Sequence, residues 1–276
     1  MISHEKVREY LTGPIASLNT VFNRDGSIDY DGLRSLIDAD ISGGTKTILL
    51  TYGDSLYSLL TDDEIADVTK AVVEHTGDRA MVVAADGGWW TGKTVEFARY
   101  ARDVGADVLM VKPPTWAASW TEDTFVEHYA AVAVQIPVML VTNVFSGATE
   151  LGLRTIERVR DRVENVVAIK DDIHGEFVRK MTAMVHEKWA VFAGGGKQTH
   201  LEMVHYGAIG FMSTFIMFNP RVTADYWGAI ERGDWEMAAK VIEDHDWPFM
   251  DYLQTLRGGF DAGIHGVLEL YGVAQR

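Results

Sequence analysis

The segment Val166–Asp172, VVAIKDD, runs four apolar residues into a lysine and two aspartates. Lysine is among the side chains least willing to leave water, so ending a buried run on one is either harmless, because the head escapes to solvent, or chemical in purpose. If Lys170 stands at the mouth of a closed sheet, apolar walls below it disfavour the ammonium form. A neutral amine attacks carbonyls, and the resulting Schiff base is an electron sink that lets a neighbouring carbon–carbon bond form or break without a metal. The same residues admit a second reading, a snorkelling or ion-paired lysine held by Asp171 or Asp172. For the chemical reading the two aspartates are expected to turn away from the amine, cap the next helix or meet the substrate, since a close carboxylate would hold the lysine charged.

Other segments offer less. AGGGKQT imitates a phosphate loop but has Val191 where its first glycine must stand and Gln198 where the magnesium-binding hydroxyl must be. His200 and His205 are five residues apart, about 140° around a helix, and cannot share a metal from one face. No metal ligand set and no cofactor is expected; the covalent link is to the substrate itself.

The elements that must position Lys170 recur along the chain. Apolar runs at 14–19, 46–51, 80–85, 107–111, 137–142, 165–170, 189–193 and 209–213 are each followed by a polar or glycine-rich corner and then by helical spacing. Thr61 with Glu64 forms a capping-box pattern, Asn219 before Pro220 marks a helix start, and Gly43, Gly77 and Gly105 stand where helices should end. Runs such as VVA and VML lack period-2 alternation, as strands covered on both faces do. Eight such units predict an α/β fold, a TIM (β/α)8 barrel over residues 1–233, with a C-terminal helical region over 234–276. An open doubly wound sheet is the competing fold, but the glycine fingerprint it needs is missing from SLNTVFNRDG after the first strand. In a barrel the functional residues gather at the C-terminal strand ends, which brings 51–55, 85–90, 112–115, 142–146, 170–172, 194–197 and 213–215 together.

Composition narrows the classes. The 276 residues are 47% hydrophobic and 24% charged, with a formal net charge of −15 and no cysteine. Disulfides, thiolate nucleophiles and cysteine metal sites are excluded, and 25 basic against 40 acidic residues supply no phosphate-neutralising surface, so nucleic acid is not expected as a partner. No uncharged 18-residue run exists to cross a membrane, and MISHEKVREYL lacks the apolar region of a secretion signal, which makes the cytoplasm the expected location.

The order GPIASLNTVFNRDG, LLTYGDSLYSLLTDDE, GADVLMVKPP, IPVMLVTNV, VVAIKDD, VFAGGG and GAIGFMS resembles the dihydrodipicolinate synthase and N-acetylneuraminate lyase family essentially end to end. The resemblance implies metal-free Schiff-base chemistry on pyruvate or a related 2-oxo acid, in homotetramers of TIM barrels, with Lys170 as the imine-forming residue. It further implies that Thr51 and Tyr52 hold the 2-oxo acid carboxylate and relay protons, and that Gly53, Asp54, Ser55, Asn143, Asp172, Gly194 and Met212 form the substrate pocket.

Two departures stand out. Thr142 occupies the place of the family's fifth-strand tyrosine, a shorter and far less acidic group, so Tyr52 is the candidate substitute. Residues 144–149, VFSGAT, lack the arginine with which the synthase receives a second carboxylate, and KPPTW replaces its TPYY. Dihydrodipicolinate synthesis itself is therefore not expected, and Lys112, Trp89, Trp90 and Trp116 are expected to reshape the mouth. The leading reading is a Schiff-base lyase or aldolase performing aldol cleavage, condensation or dehydration. The alternatives are a barrel that binds a 2-oxo acid without turnover and a metal-dependent hydrolase.

Overall fold

A computed structural model describes residues 2–113 and 120–274. Among them, eight parallel strands close in chain order, with β1 paired to both β2 and β8. They are β1 Gly13–Ser17, β2 Thr47–Leu49, β3 Met81–Ala85, β4 Val108–Val111, β5 Val138–Val141, β6 Val166–Asp171, β7 Ala190–Ala193 and β8 Gly210–Met212. Each falls within two or three residues of its expected bounds. The strands are short and almost wholly buried because helices cover their outer faces and side chains fill the barrel, which is why no polar alternation is visible in them.

The helices are α1 His4–Tyr10, α2 Tyr30–Ser42, α3 Asp62–Thr76, α4 Thr91–Val104, α5 Glu122–Ala133, α6 Thr149–Arg162, α7 Gly175–Val185, α8 Gly196–Met203 and α9 Pro220–Arg232. The Thr61–Glu64 capping box is formed at α3, with Thr61 N–H donating to Glu64 Oε2 at 2.8 Å and Glu64 N–H to Thr61 Oγ1 at 3.3 Å; such a cap contributes about 1 kcal/mol. Gly43, Gly77 and Gly105 cap α2, α3 and α4. At α9 the proline starts the helix as expected, whereas the Asn219 side chain makes no capping bond. Arg8 of α1 reaches across the N-terminal end of the barrel and donates to the carbonyls of His186 and Trp189 at 2.5 and 2.9 Å.

Beyond α9 the chain is helical. Helix α10, Trp235–Val241, passes through a π-helical turn at Ile242–Asp246 into α11, Trp247–Thr255, and then α12, Gly259–Leu270. Lys197 in the first turn of α8 donates to both carboxylate oxygens of Asp246, at 2.9 and 3.0 Å, with its ammonium 4.6 Å from the Phe215 ring centre. The next residue on each side adds a bond, Trp247 Nε1–H to Gln198 Oε1 at 2.8 Å. These paired contacts fasten the start of α11 over the C-terminal end of the barrel. No helix is long and apolar enough to cross a membrane among the described residues.

Candidate active site

Strand β6 is held between β5 and β7, with Lys170 opposite Val141 and Phe192. All six of its residues are buried, and Lys170 is 7% exposed. The lysine lines a chamber of about 230 Å³ at the C-terminal end of the barrel. Thr51, Tyr52, Gly53 and Asp54 enter it from the turn after β2, Asn143 and Asp172 from the ends of β5 and β6, and Gly194 and Met212 from β7 and β8. Met110 and Val141, which carry no chemistry that a sequence could flag, complete the wall.

The two aspartates behave differently from each other. Asp171 turns away as predicted: it accepts from Thr142 Oγ1 at 2.9 Å and from the N–H groups of Ile173 and His174 at 3.2 Å, holding the turn that leads into α7. Asp172 does not. Its Oδ1 accepts directly from the Lys170 amine, so the lysine is ion-paired inside the chamber. The pair is possible because residue 194 has no side chain. A Cβ there would stand 2.0 Å from Asp172 Oδ1 and 2.6 Å from Lys170 Nζ. Alternation along β6 sends Lys170 and Asp172 to the same side and Asp171 to the other, which is the physical reason for the split.

The turn after β2 is built from hydroxyls. Asp54 N–H donates to Thr51 Oγ1 at 3.1 Å, while Ser55 Oγ donates to the Leu18 carbonyl at 2.7 Å and accepts from Thr51 N–H at 3.0 Å. Ser55, expected to bind substrate, is thus consumed in holding the turn and stays outside the chamber. Leu56 takes a left-handed φ of 54°, a costly conformation for a bulky residue, and closes the segment. Asp54 accepts from Ser17 Oγ, and burial pushes its carboxyl above the usual carboxylate range, against the pull of that hydrogen bond and of Lys170.

Thr142 also departs from its expected place. Its hydroxyl donates to Asp171 and accepts from Asp172 N–H at 2.8 Å, so its one proton is engaged within the β5–β6 connection and Thr142 does not line the chamber. A tyrosine would have reached past that connection; a threonine bonds to it. Tyr52 does present its ring to the chamber, but its hydroxyl donates to Asp86 Oδ1 at 2.6 Å and lies 3.2 Å from the Met110 carbonyl. Asp86 is fully buried and also accepts from Thr94 Oγ1 at 3.0 Å and Lys112 N–H at 3.2 Å. Burial pushes its carboxyl up to about 6 and raises the Tyr52 phenol well above its ordinary value. The Lys112 ammonium stands 5.4 Å from the Tyr52 ring centre.

A larger cavity of about 380 Å³ adjoins the chamber and shares Asp54, Gly194 and Met212 with it. Its far wall comes from α11 and α12 through Trp247, Met250, Asp251, Phe260 and Ile264. None of these was flagged by the sequence, although their spacings of three and four residues are those of one helix face. Two of the tryptophans expected at the mouth line neither cavity: Trp89 donates to Asp62 and packs on Phe97, and Trp90 is 65% exposed. Thr115 and Trp116 lie outside the described residues. Among the described residues, no three His, Asp or Glu side chains converge as a metal-binding group.

A closed barrel whose mouth holds an ion-paired lysine between a hydroxyl-rich turn and a glycine gap defines a class of α/β-barrel enzymes. The chain belongs to the Dihydrodipicolinate synthetase family, whose model matches residues 10–276, and is an enzyme of the lyase type. It is 29% identical over 250 residues to the 4-hydroxy-tetrahydrodipicolinate synthase of Geobacter metallireducens, covering 90% of this chain and 81% of that one. It is 27% identical over 244 residues to a Streptomyces avermitilis protein named "Probable 5-dehydro-4-deoxyglucarate dehydratase 2", covering 87% of this chain and 72% of that one. Among solved structures it is similar to YagE, a prophage protein of E. coli K12 belonging to the dihydrodipicolinic acid synthase family and crystallised in complex with pyruvate, with a TM-score of 0.80, 25% identity and coverage of 94% and 88% of the two chains.

Proposed function

We propose that this chain is a metal-independent Schiff-base lyase or aldolase acting on pyruvate or a related 2-oxo acid, and that it is not a dihydrodipicolinate synthase. The observation that carries the reading is the Lys170 amine, paired with Asp172 in a chamber large enough for a three-carbon acid. The ion pair changes how the amine is activated. Instead of depending on dryness alone, the amine stands hydrogen-bonded to the carboxylate that takes its proton. When the 2-oxo acid enters, Asp172 accepts that proton as the nitrogen attacks the carbonyl carbon, and loss of water gives the imine.

Thr51 and the backbone of Gly53 hold the substrate carboxylate on the turn after β2, with Asn143 across the chamber. Tyr52 replaces the fifth-strand tyrosine, and its hydrogen bond to Asp86 gives the phenol a partner able to accept and return a proton. The absence of arginine from residues 144–149 supports the exclusion of synthase activity, since a second substrate carboxylate has no fork to receive it there. Family resemblance supports a homotetramer working in the cytoplasm. Incubation with pyruvate, borohydride reduction and peptide mass mapping test the central claim: the expected result is one pyruvate-derived adduct on Lys170, and a native protein giving none with any 2-oxo acid is no Schiff-base enzyme.

A further inference from the structure

We infer that the cavity under the C-terminal helices seats the part of the substrate that lies beyond the 2-oxo acid, and that this part is uncharged and largely apolar, without a second carboxylate. The inference rests on the Schiff-base reading and extends it to substrate class. Three observations carry it.

The first is continuity. The cavity of about 380 Å³ meets the Lys170 chamber at Asp54, Gly194 and Met212, so the space next to a molecule fixed at the lysine is this cavity. The second is the wall. Met217, Met250, Phe260, Ile264 and the Trp247 ring give an apolar surface in which flexible methionines adapt to the shape of their guest. Trp247 is fixed to Gln198 at 2.8 Å, so the ring is a built wall rather than a loose side chain.

The third is charge. Among the described residues no lysine or arginine lines this cavity, while Asp246 and Asp251 do. The cation behind the wall, Lys197, is already held by both oxygens of Asp246. Residues 114–119, Pro-Thr-Trp-Ala-Ala-Ser, contain no charged side chain to supply one. A carboxylate brought here would lose its water without gaining a cation and would share the cavity with Asp251, whereas an uncharged chain or ring buries apolar surface without that cost. Doubly anionic sugar acids are disfavoured for the same reason.

The reaction balances as an aldol addition. The Lys170 imine of pyruvate gives up a methyl proton to Tyr52, which passes its own proton to the ionised Asp86, and becomes an enamine. Its terminal carbon then bonds to the aldehyde carbon, while the aldehyde π pair moves onto oxygen and takes a proton there. Water adds to the new imine and releases the lysine. Asp54, on the border of both cavities, is placed to donate the proton to the aldehyde oxygen, and burial keeps its carboxyl protonated to higher pH than usual.

The experiment uses the full chain. Exchange of the pyruvate methyl protons in D2O, followed by NMR, reads the lysine chemistry alone. Aldol addition is then measured with two matched pairs, benzaldehyde against 4-carboxybenzaldehyde and pentanal against 5-oxopentanoate. The uncharged member of at least one pair is expected to react with kcat/KM about tenfold or more above its carboxylate partner. Asp251→Lys, at an exposed position of α11, is expected to narrow that ratio at least threefold. Exchange without any aldehyde addition, or with the carboxylates reacting equally well or better, overturns this inference and leaves the Schiff-base reading standing. Absence of exchange overturns both.

Discussion

Lys170 stands near the end of β6 and Lys197 just beyond the neighbouring β7, 7% and 1% exposed, each beside an aspartate. Lys197 is the more deeply buried. It is gripped by two carboxylate oxygens and covered by the Phe215 ring, and desolvation works against its charged form while Asp246 restores it. Lys170 bonds to a single oxygen of Asp172 and lines an open chamber. Burial and a partnering carboxylate are therefore common to a structural clamp and to a candidate nucleophile. What separates them is unfilled space at the amine, which Gly194 preserves in one case and Phe215 fills in the other.

The sharpest way to break this comparison is to remove each amine. Lys170→Ala is expected to abolish the trapped adduct and to slow pyruvate methyl exchange by roughly a thousandfold or more, as loss of a covalent nucleophile does. Lys197→Met should still form the adduct on Lys170; an adduct lost equally in both variants would mean that the two lysines are not different in kind.

The next largest effect concerns stability. Asp246→Ala leaves Lys197 buried and unpaired, which costs on the order of 3 kcal/mol or more, and the double change Lys197→Met with Asp246→Leu recovers most of it. Urea unfolding followed by tryptophan fluorescence measures both. Equal stability of Asp246→Ala and the native chain would remove the clamp from the account.

Asp172→Asn keeps a hydrogen-bond acceptor beside Lys170 but removes the base, so imine formation is expected to slow by about a hundredfold with little change in unfolding. Rapid-mixing measurement of adduct formation tests it, and an unchanged rate would make this pair as passive as the one at Lys197.

The smallest expected effect is the pH limb. Asp86 accepts a proton from Tyr52 only when ionised, so exchange should rise with pH through about 6, where burial places its carboxyl. Asp86→Asn and Tyr52→Phe should each flatten that limb and lower the rate by about tenfold. For stability the sign is opposite: a carboxyl whose folded value is raised favours the folded chain below its unfolded value, and that advantage is lost as pH rises through about 6.

The amine-bearing strand was legible because VVAIK joins an apolar run to a charge, and eight repeats of strand and corner left few other folds. The turn TYGDS and the glycine of VFAGGG were legible through their resemblance to a family whose barrel they share. Hydroxyl partners were not. Thr142 and Ser55 both lie at strand ends, where function is expected, yet each hydroxyl proton is engaged by a neighbouring segment: Asp171 holds one, which also accepts from Asp172 N–H, and the Leu18 carbonyl the other, which also accepts from Thr51 N–H. Nor does local sequence say whether Asp172 meets the lysine, since that depends on the empty space at Gly194 one strand away.

By itself, the order of residues determined the barrel, its register of buried runs and the lysine at the end of β6, because periodicity and burial act over a few neighbouring positions. The tertiary structure alone decided which carboxylate reaches that lysine, which hydroxyls are spent, and that α11 and α12 roof a second cavity. Those outcomes depend on distances between segments brought together from Ser17 to Ile264, and on competition among polar groups for the same few partners, neither of which is written in any local stretch of chain.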